Sequence, residues 1–147
     1  MATNARKKMV RLGSNDRVAV VRKFSYDFGS EGGAVGAITL KGEDNNAEVI
    51  PAGAVITRAW TSARTAMTSG GAAPVALGYT GGAANIKAAT AFNDATFVGV
   101  DAHTAAIPAA VGAADVSVLA TVATAALTAG AFDVFVEYIP AEVPAEL

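Results

Sequence analysis

Over Val116–Val122, and again over Phe132–Tyr138, apolar residues return at every second position, and only an extended chain can bury such a pattern on one side. Val116, Val118, Ala120 and Val122 alternate with Asp115, Ser117, Leu119 and Thr121. Phe132, Val134, Val136 and Tyr138 alternate with Ala131, Asp133, Phe135 and Glu137. Successive side chains of a strand point to opposite faces, so each set forms one apolar row. Leu127-Thr128-Ala129-Gly130 reads as a turn between the two, which makes the pair a hairpin. A helix over Leu119–Ala131 is the competing reading, because alanine is a strong helix former. Thr and Val at alternate positions, together with Gly130, argue against it.

The same period runs through Arg17–Tyr26, where Val18, Val20, Arg22, Phe24 and Tyr26 share a face. Asp27–Gly36, with glycines at 29, 32, 33 and 36, reads as a loop or bulged bend, and Val35–Leu40 as a short strand. Lys41–Glu48 is a polar, acidic surface loop. Ile50-Pro51-Ala52-Gly53 is a turn in which Pro51 removes a ladder donor. Ala54–Met67 is the longest strand candidate, Ser69-Gly70-Gly71 a hairpin turn, and Pro74–Tyr79 the returning strand. Gly81–Ala114 is irregular; short strands and long loops are expected there, with one helical turn near Asn85–Ala91. Turn signals every ten residues or so, over 147 residues, predict one all-β domain. Its architecture is a two-sheet antiparallel sandwich of jelly-roll type with a basic N-terminal arm. The arm takes residues 1–16, the sandwich 17–140 and an acidic tail 141–147.

Hydrophobic residues make up 52% of the chain, but 35 residues are alanine. Burying one methyl is worth ~0.8 kcal/mol, against ~1.5–3 kcal/mol for a Leu- or Phe-sized side chain. An alanine-built core is therefore expected to be thin and to gain from oligomerisation or docking. There is no Cys, and His103 is the one His. That excludes a disulfide scaffold, a Cys/His zinc site, thiol catalysis and an iron–sulfur centre. His103 falls in an irregular stretch with no G-x-S-x-G elbow, and reads as a surface or loop-packing residue. The acidic loop Glu43–Glu48 lacks the spacing of an EF-hand, and the glycines at 29–36 lack the Lys-Ser or Lys-Thr of a phosphate loop. The expectation is a non-enzyme with no cofactor and no metal site. No apolar stretch of useful length follows the basic start. The run Ala105–Ala114 is too short, and too broken by Pro108 and Gly112, to span a bilayer, so no membrane partner is expected.

Net charge is −2, distributed unevenly. Residues 1–23 hold seven basic residues against Asp16, while 24–147 hold four basic and twelve acidic residues. Arg6, Lys7, Lys8, Arg11 and Arg17 are the candidates for contact with an acidic partner surface or a neighbouring copy. The alternative is a frayed, solvated terminus. Nucleic acid is disfavoured, because no aromatic precedes Phe24 and the body would repel phosphate. Within Ala54–Met67, small residues on one face suit the interior and leave Arg58, Trp60 and Arg64 outside. With Phe135 these are the candidates for an oligomer interface, Trp and Arg being enriched at such sites. The other reading is a core Trp60 whose flanking Arg stems run to the edge.

Three stretches carry a family resemblance. They are Tyr26-Asp27-Phe28 with Gly32–Leu40, Ile50–Ile56 with Thr68–Gly71 and Ala76–Gly78, and Thr124–Gly130 followed by Phe132, Val134, Val136, Glu137 and Tyr138. This pattern, over roughly 24–78 and 116–139, resembles the small β-rich virion structural proteins of tailed bacteriophages, most closely the capsid decoration (cement) proteins. The resemblance implies a sandwich or jelly-roll domain that stabilises the shell, with the major capsid protein and itself as partners. A homotrimer on the outer surface of the virion, made in the host cytoplasm, is the form it favours. A tail, head–tail or head-fibre component stays open, as does a carbohydrate-binding sandwich displayed on the particle with Trp60 and Tyr79 as platforms.

Overall fold

In a computed structural model, residues 18–103 and 109–141 of the chain are described. The basic stretch with Arg6, Lys7, Lys8, Arg11 and Arg17, and the acidic tail from residue 142, lie outside them. In chain order the strands are β1 (Val20–Asp27), β2 (Gly36–Thr39), β3 (Val55–Ser69), β4 (Pro74–Tyr79), β5 (Gly82–Ala91), β6 (Val100–His103), β7 (Ala109–Ala110), β8 (Val118–Val122) and β9 (Leu127–Ile139). Two helical turns, α1 (Phe28–Glu31) and α2 (Ala95–Val98), lie between them, with a 3-10 turn over Glu43–Asn45. The first sheet has the order β1-β9-β3-β6, with β7 pairing the start of β3, and the second has β2-β8-β4-β5. Every pairing is antiparallel, so the chain is an all-β, two-sheet sandwich.

The strands at both ends of the alternating region form, but they do not make a hairpin. β8 pairs β2 and β4 in the second sheet, while β9 pairs β1 and β3 in the first. The expected turn residues 127–130 lie inside β9, and the chain changes sheets through residues 123–126. A hairpin would set the two apolar rows side by side on one face. Crossing over sets Val118, Ala120 and Val122 opposite Phe132, Val134, Val136 and Tyr138, so that each row buries the other. Ser69-Gly70-Gly71 is likewise a crossover from β3 to β4 and not a hairpin turn. The two crossovers touch, Ser69 Oγ donating to the Ala126 carbonyl at 2.8 Å.

The stretch near Asn85–Ala91 is strand, not helix. β5 hairpins onto β4, and Asn85 Oδ1 accepts from the Tyr79 N–H at 2.9 Å across the turn. The helical turn comes later, at α2, where Asp94 caps it by accepting from the Thr96 N–H at 3.1 Å. α2 delivers Phe97 into the core, edge-on to Phe132 with ring centroids 5.2 Å apart. Tyr26 stacks on the same Phe132 at 5.3 Å.

The core is not the thin alanine layer that composition suggests. Its largest fully buried side chains are Tyr26, Phe24, Phe97, Phe132, Leu40, Ile50, Ile56, Leu77 and Ile86. Of the described alanines, Ala54, Ala59, Ala73, Ala76, Ala120 and Ala131 join them. Alanine is tolerated at exposed strand positions, so its count says little about the interior.

Candidate interaction face

The outward side of the first sheet collects the residues that the sequence marks for contact. On β3 the small residues Ala59 and Thr61 turn inward and are buried, which sends Arg58, Trp60, Ser62 and Arg64 outward. Trp60 is half-buried there and is not a core residue. A register shift between Ile56 and Arg58 lets Ile56 point into the core although it shares the parity of Trp60. β9 supplies the partners in register: Glu137 opposite Arg58, Phe135 opposite Trp60, Asp133 opposite Ser62. β6 adds Ala102 beside Trp60 and Val100 beside Ser62.

Each row of this ladder is internally matched. Arg58 Nε and Nη2 donate to the two oxygens of Glu137 at 3.0 and 2.9 Å, and Thr57 Oγ1 donates to Glu137 Oε1 at 2.8 Å. The Arg58 hydrogen bond, then that of Thr57, holds the Glu137 carboxyl below its ordinary pKa. The Trp60 and Phe135 rings stack with centroids 5.5 Å apart and planes 12° from parallel, and the Arg58 guanidinium lies 5.4 Å from the Trp60 ring centre. Asp133 is 7% exposed, a carboxylate that needs partners. Arg64 Nε reaches both its oxygens at 3.1 Å, and Ser25 Oγ donates to it at 2.7 Å. Arg64 Nη2 also donates to the Tyr26 carbonyl at 3.2 Å, so this side chain ties β3 to β9 and β1.

Arg58, Trp60, Arg64 and Phe135 thus stand together on one face. Thr57, Glu137, Asp133, Ala102 and Val100 complete it, and their part becomes visible only through the pairing register. Beside Trp60, at the β6 edge, a hollow of about 320 Å³ opens between Arg58, Ala59, Val100, Ala102 and His103. Val100, on its rim, is 72% exposed.

His103 is neither a surface nor a loop residue. It ends β6 and is 4% exposed, because its strand pairs with Ala59 on the inward side of β3. Thr61, His103 and Asp101 follow one another as hydroxyl, imidazole and carboxylate. Thr61 is fully buried, and His103 Nδ1 stands 3.8 Å from Asp101, beyond hydrogen-bond reach. No substrate can meet that hydroxyl. Tyr79 is half-buried against the core. Among the described residues no group of three or more His, Cys, Asp or Glu side chains is placed to hold a metal ion, and no helix is long and apolar enough to cross a membrane.

The chain's likeness to known proteins lies in its fold. No protein-family model matches it, and no curated protein does. Solved structures do match. The chain shares its fold with chains of three phage capsids. A chain of the cyanophage Pam1 capsid asymmetric unit superposes with a TM-score of 0.62 at 20% identity, over 83% of this chain and 84% of that one. A chain of the acid-stable capsid of Helicobacter pylori bacteriophage KHP30 gives 0.58 at 13% identity, over 88% and 94%. A chain of the Ralstonia phage GP4 capsid gives 0.58 at 17% identity, over 86% of each. Similar shares are covered on both sides, so the matched chains are close to this one in length.

Proposed function

We propose that the chain is a structural protein of a bacteriophage capsid, carried on the shell as a decoration, or cement, protein and catalysing no reaction. The observation that carries this reading is the likeness, over 83–88% of the chain, to chains of similar size in three phage capsids. A cement protein has to form a rigid body and offer a surface to its neighbours. The outer face of the first sheet suits that task, with Arg58, Trp60, Arg64 and Phe135 at the contact. Arg58 and Arg64 are already paired within the sheet and Lys23, beside Phe135, with Glu43 of the 3-10 turn, so a neighbour meets chiefly the Trp60–Phe135 stack, Ala102 and Val100. Arg6, Lys7, Lys8, Arg11 and Arg17 give the same chain a basic segment for an acidic neighbour or for the major capsid protein. A homotrimer seated where shell subunits meet, on the outside of the virion, is the arrangement this reading takes.

Copy number tests it. Quantitative mass spectrometry of purified particles should count this chain at the abundance of the main shell protein or at a simple fraction of it. A handful of copies per particle would move the protein to the tail or the head–tail junction and end the cement reading.

A further inference from the structure

Below the rim of the hollow, His103 is an ionisable group that the interaction face does not use. Its side chain is fully buried. Nε2 lies 3.2 Å from Thr61 Oγ1, and Nδ1 has no hydrogen-bond partner among the described residues. The charge nearest to Nδ1 is Asp101, and that carboxylate is already engaged. Thr96 Oγ1 stands 2.7 Å from Asp101 Oδ2 and Lys87 Nζ 3.3 Å. Lys87 belongs to β5, the edge strand of the second sheet, and Asp101 to β6, the edge strand of the first. Their ion pair therefore joins the two sheets at one open side of the sandwich. The groups facing His103 are Asp101 on its own strand, Lys87 on β5, Asp94 ahead of α2, and the neutral hydroxyls of Thr61 on β3 and Thr96 on α2. Residues 104–110 contain no ionisable side chain.

We propose that His103 is an acid-sensitive latch on the edge where β5 and β6 meet. Neutral, the imidazole suits its dry site. Protonated, it carries a charge where water does not reach, and both ring nitrogens become donors. Nδ1–H then competes with Lys87 for the Asp101 carboxylate, the nearer of the two acids, and either the Lys87–Asp101 tie or the packing of His103 gives way. Burial holds the His103 pKa below its ordinary value, opposed by Asp101 and assisted by Lys87. A histidine that binds its proton less readily folded than unfolded favours the folded state fully above pH ~6.5 and loses that contribution as pH falls below it. The latch stands on this cluster alone and does not depend on the capsid reading.

Because the chain has a single His, its Cε1–H NMR signal can be followed without assignment. In the full chain the midpoint should lie below 6.5. Between pH 7.5 and 5.5 the urea midpoint should fall and the β6 amides should exchange faster than the intrinsic pH trend allows. Each unit by which the midpoint is depressed is worth about tenfold in the folded-to-unfolded ratio once pH has passed it. His103→Gln should fold and show a flat profile over the same range. Should that variant fail to fold, Lys87→Met removes the competing cation, and the His103 midpoint should rise. A midpoint at or above 6.5 in the native chain, a parent profile flat from pH 7.5 to 5.5, or no rise in Lys87→Met would overturn the proposal.

Discussion

Tyr26 shows how much one side chain settles. Its ring is fully buried on Phe132, and its hydroxyl donates to the Gly32 carbonyl at 2.7 Å, closing the α1 bend onto β1. Burial, then the charges of Asp27 and Glu31, push its pKa up to about 12. A phenol that stays protonated longer in the fold than in the unfolded chain stabilises fully below pH ~10, and that help is lost as pH rises from there toward 12. In a spectrophotometric titration of Tyr26, Tyr79 and Tyr138, one tyrosine should ionise only around pH 12, and Tyr26→Phe should delete that step. The same variant should cost about 1 kcal/mol in urea unfolding, the worth of the lost hydrogen bond. The apolar parity of Tyr26 was legible from alternation, but its partner Gly32 was not. Gly33 was legible as a turn glycine, yet what requires it is the backbone of Leu127, against which any Cβ would collide. A local pattern carries the conformation of a residue and not its distant neighbours.

At the scale of the element, the decisive contact is the cross-strand stack of β3 on β9. Phe135→Ala should remove about 0.5–1.5 kcal/mol of ring–ring attraction, beyond the area it uncovers, without changing the sheet. Trp60 is the single Trp, so its emission should shift red as Phe135 leaves and report the change directly. Strands could be read from the sequence because period two marks a face, as it did for Arg17–Tyr26 and for Ala54–Met67. Which sheet a strand joins is not written in that period. Neighbours within a sheet and rows facing each other across a core bury the same alternating residues, and so two crossovers looked like hairpins. At β5 the error ran the other way: helix propensity in the alanine-rich stretch is outweighed by a ladder to β4 that only the fold supplies. The outer face of the first sheet was half legible, since residue type singled out Arg58, Trp60, Arg64 and Phe135, which the fold places side by side there. Only the register shows that Glu137 and Asp133 neutralise the two arginines.

Across the whole molecule the charge asymmetry divides a basic leading segment from a body in which acids outnumber bases. β1 begins at Val20, so a chain lacking residues 1–16 keeps every described strand. Its circular dichroism should match that of the full chain, while its co-sedimentation with shells should weaken. The difference between the two chains should shrink as added salt shortens the screening length below ~10 Å. Unchanged attachment of the truncated chain would rule out a docking role for the arginines and lysines of the arm. The order of the first sheet bears on how such a protein is made. β9 lies between β1 and β3, yet it is the last of the described strands to be made. During synthesis β1 has no ladder to join, and β3 lacks its main one. The centre of that sheet is laid down last, between flanks that have been waiting for it. Pairing over such separations is slow, on the order of milliseconds to seconds. Wherever many copies are made at once, the chain must close this gap before the exposed edges of β1 and β3 find another copy.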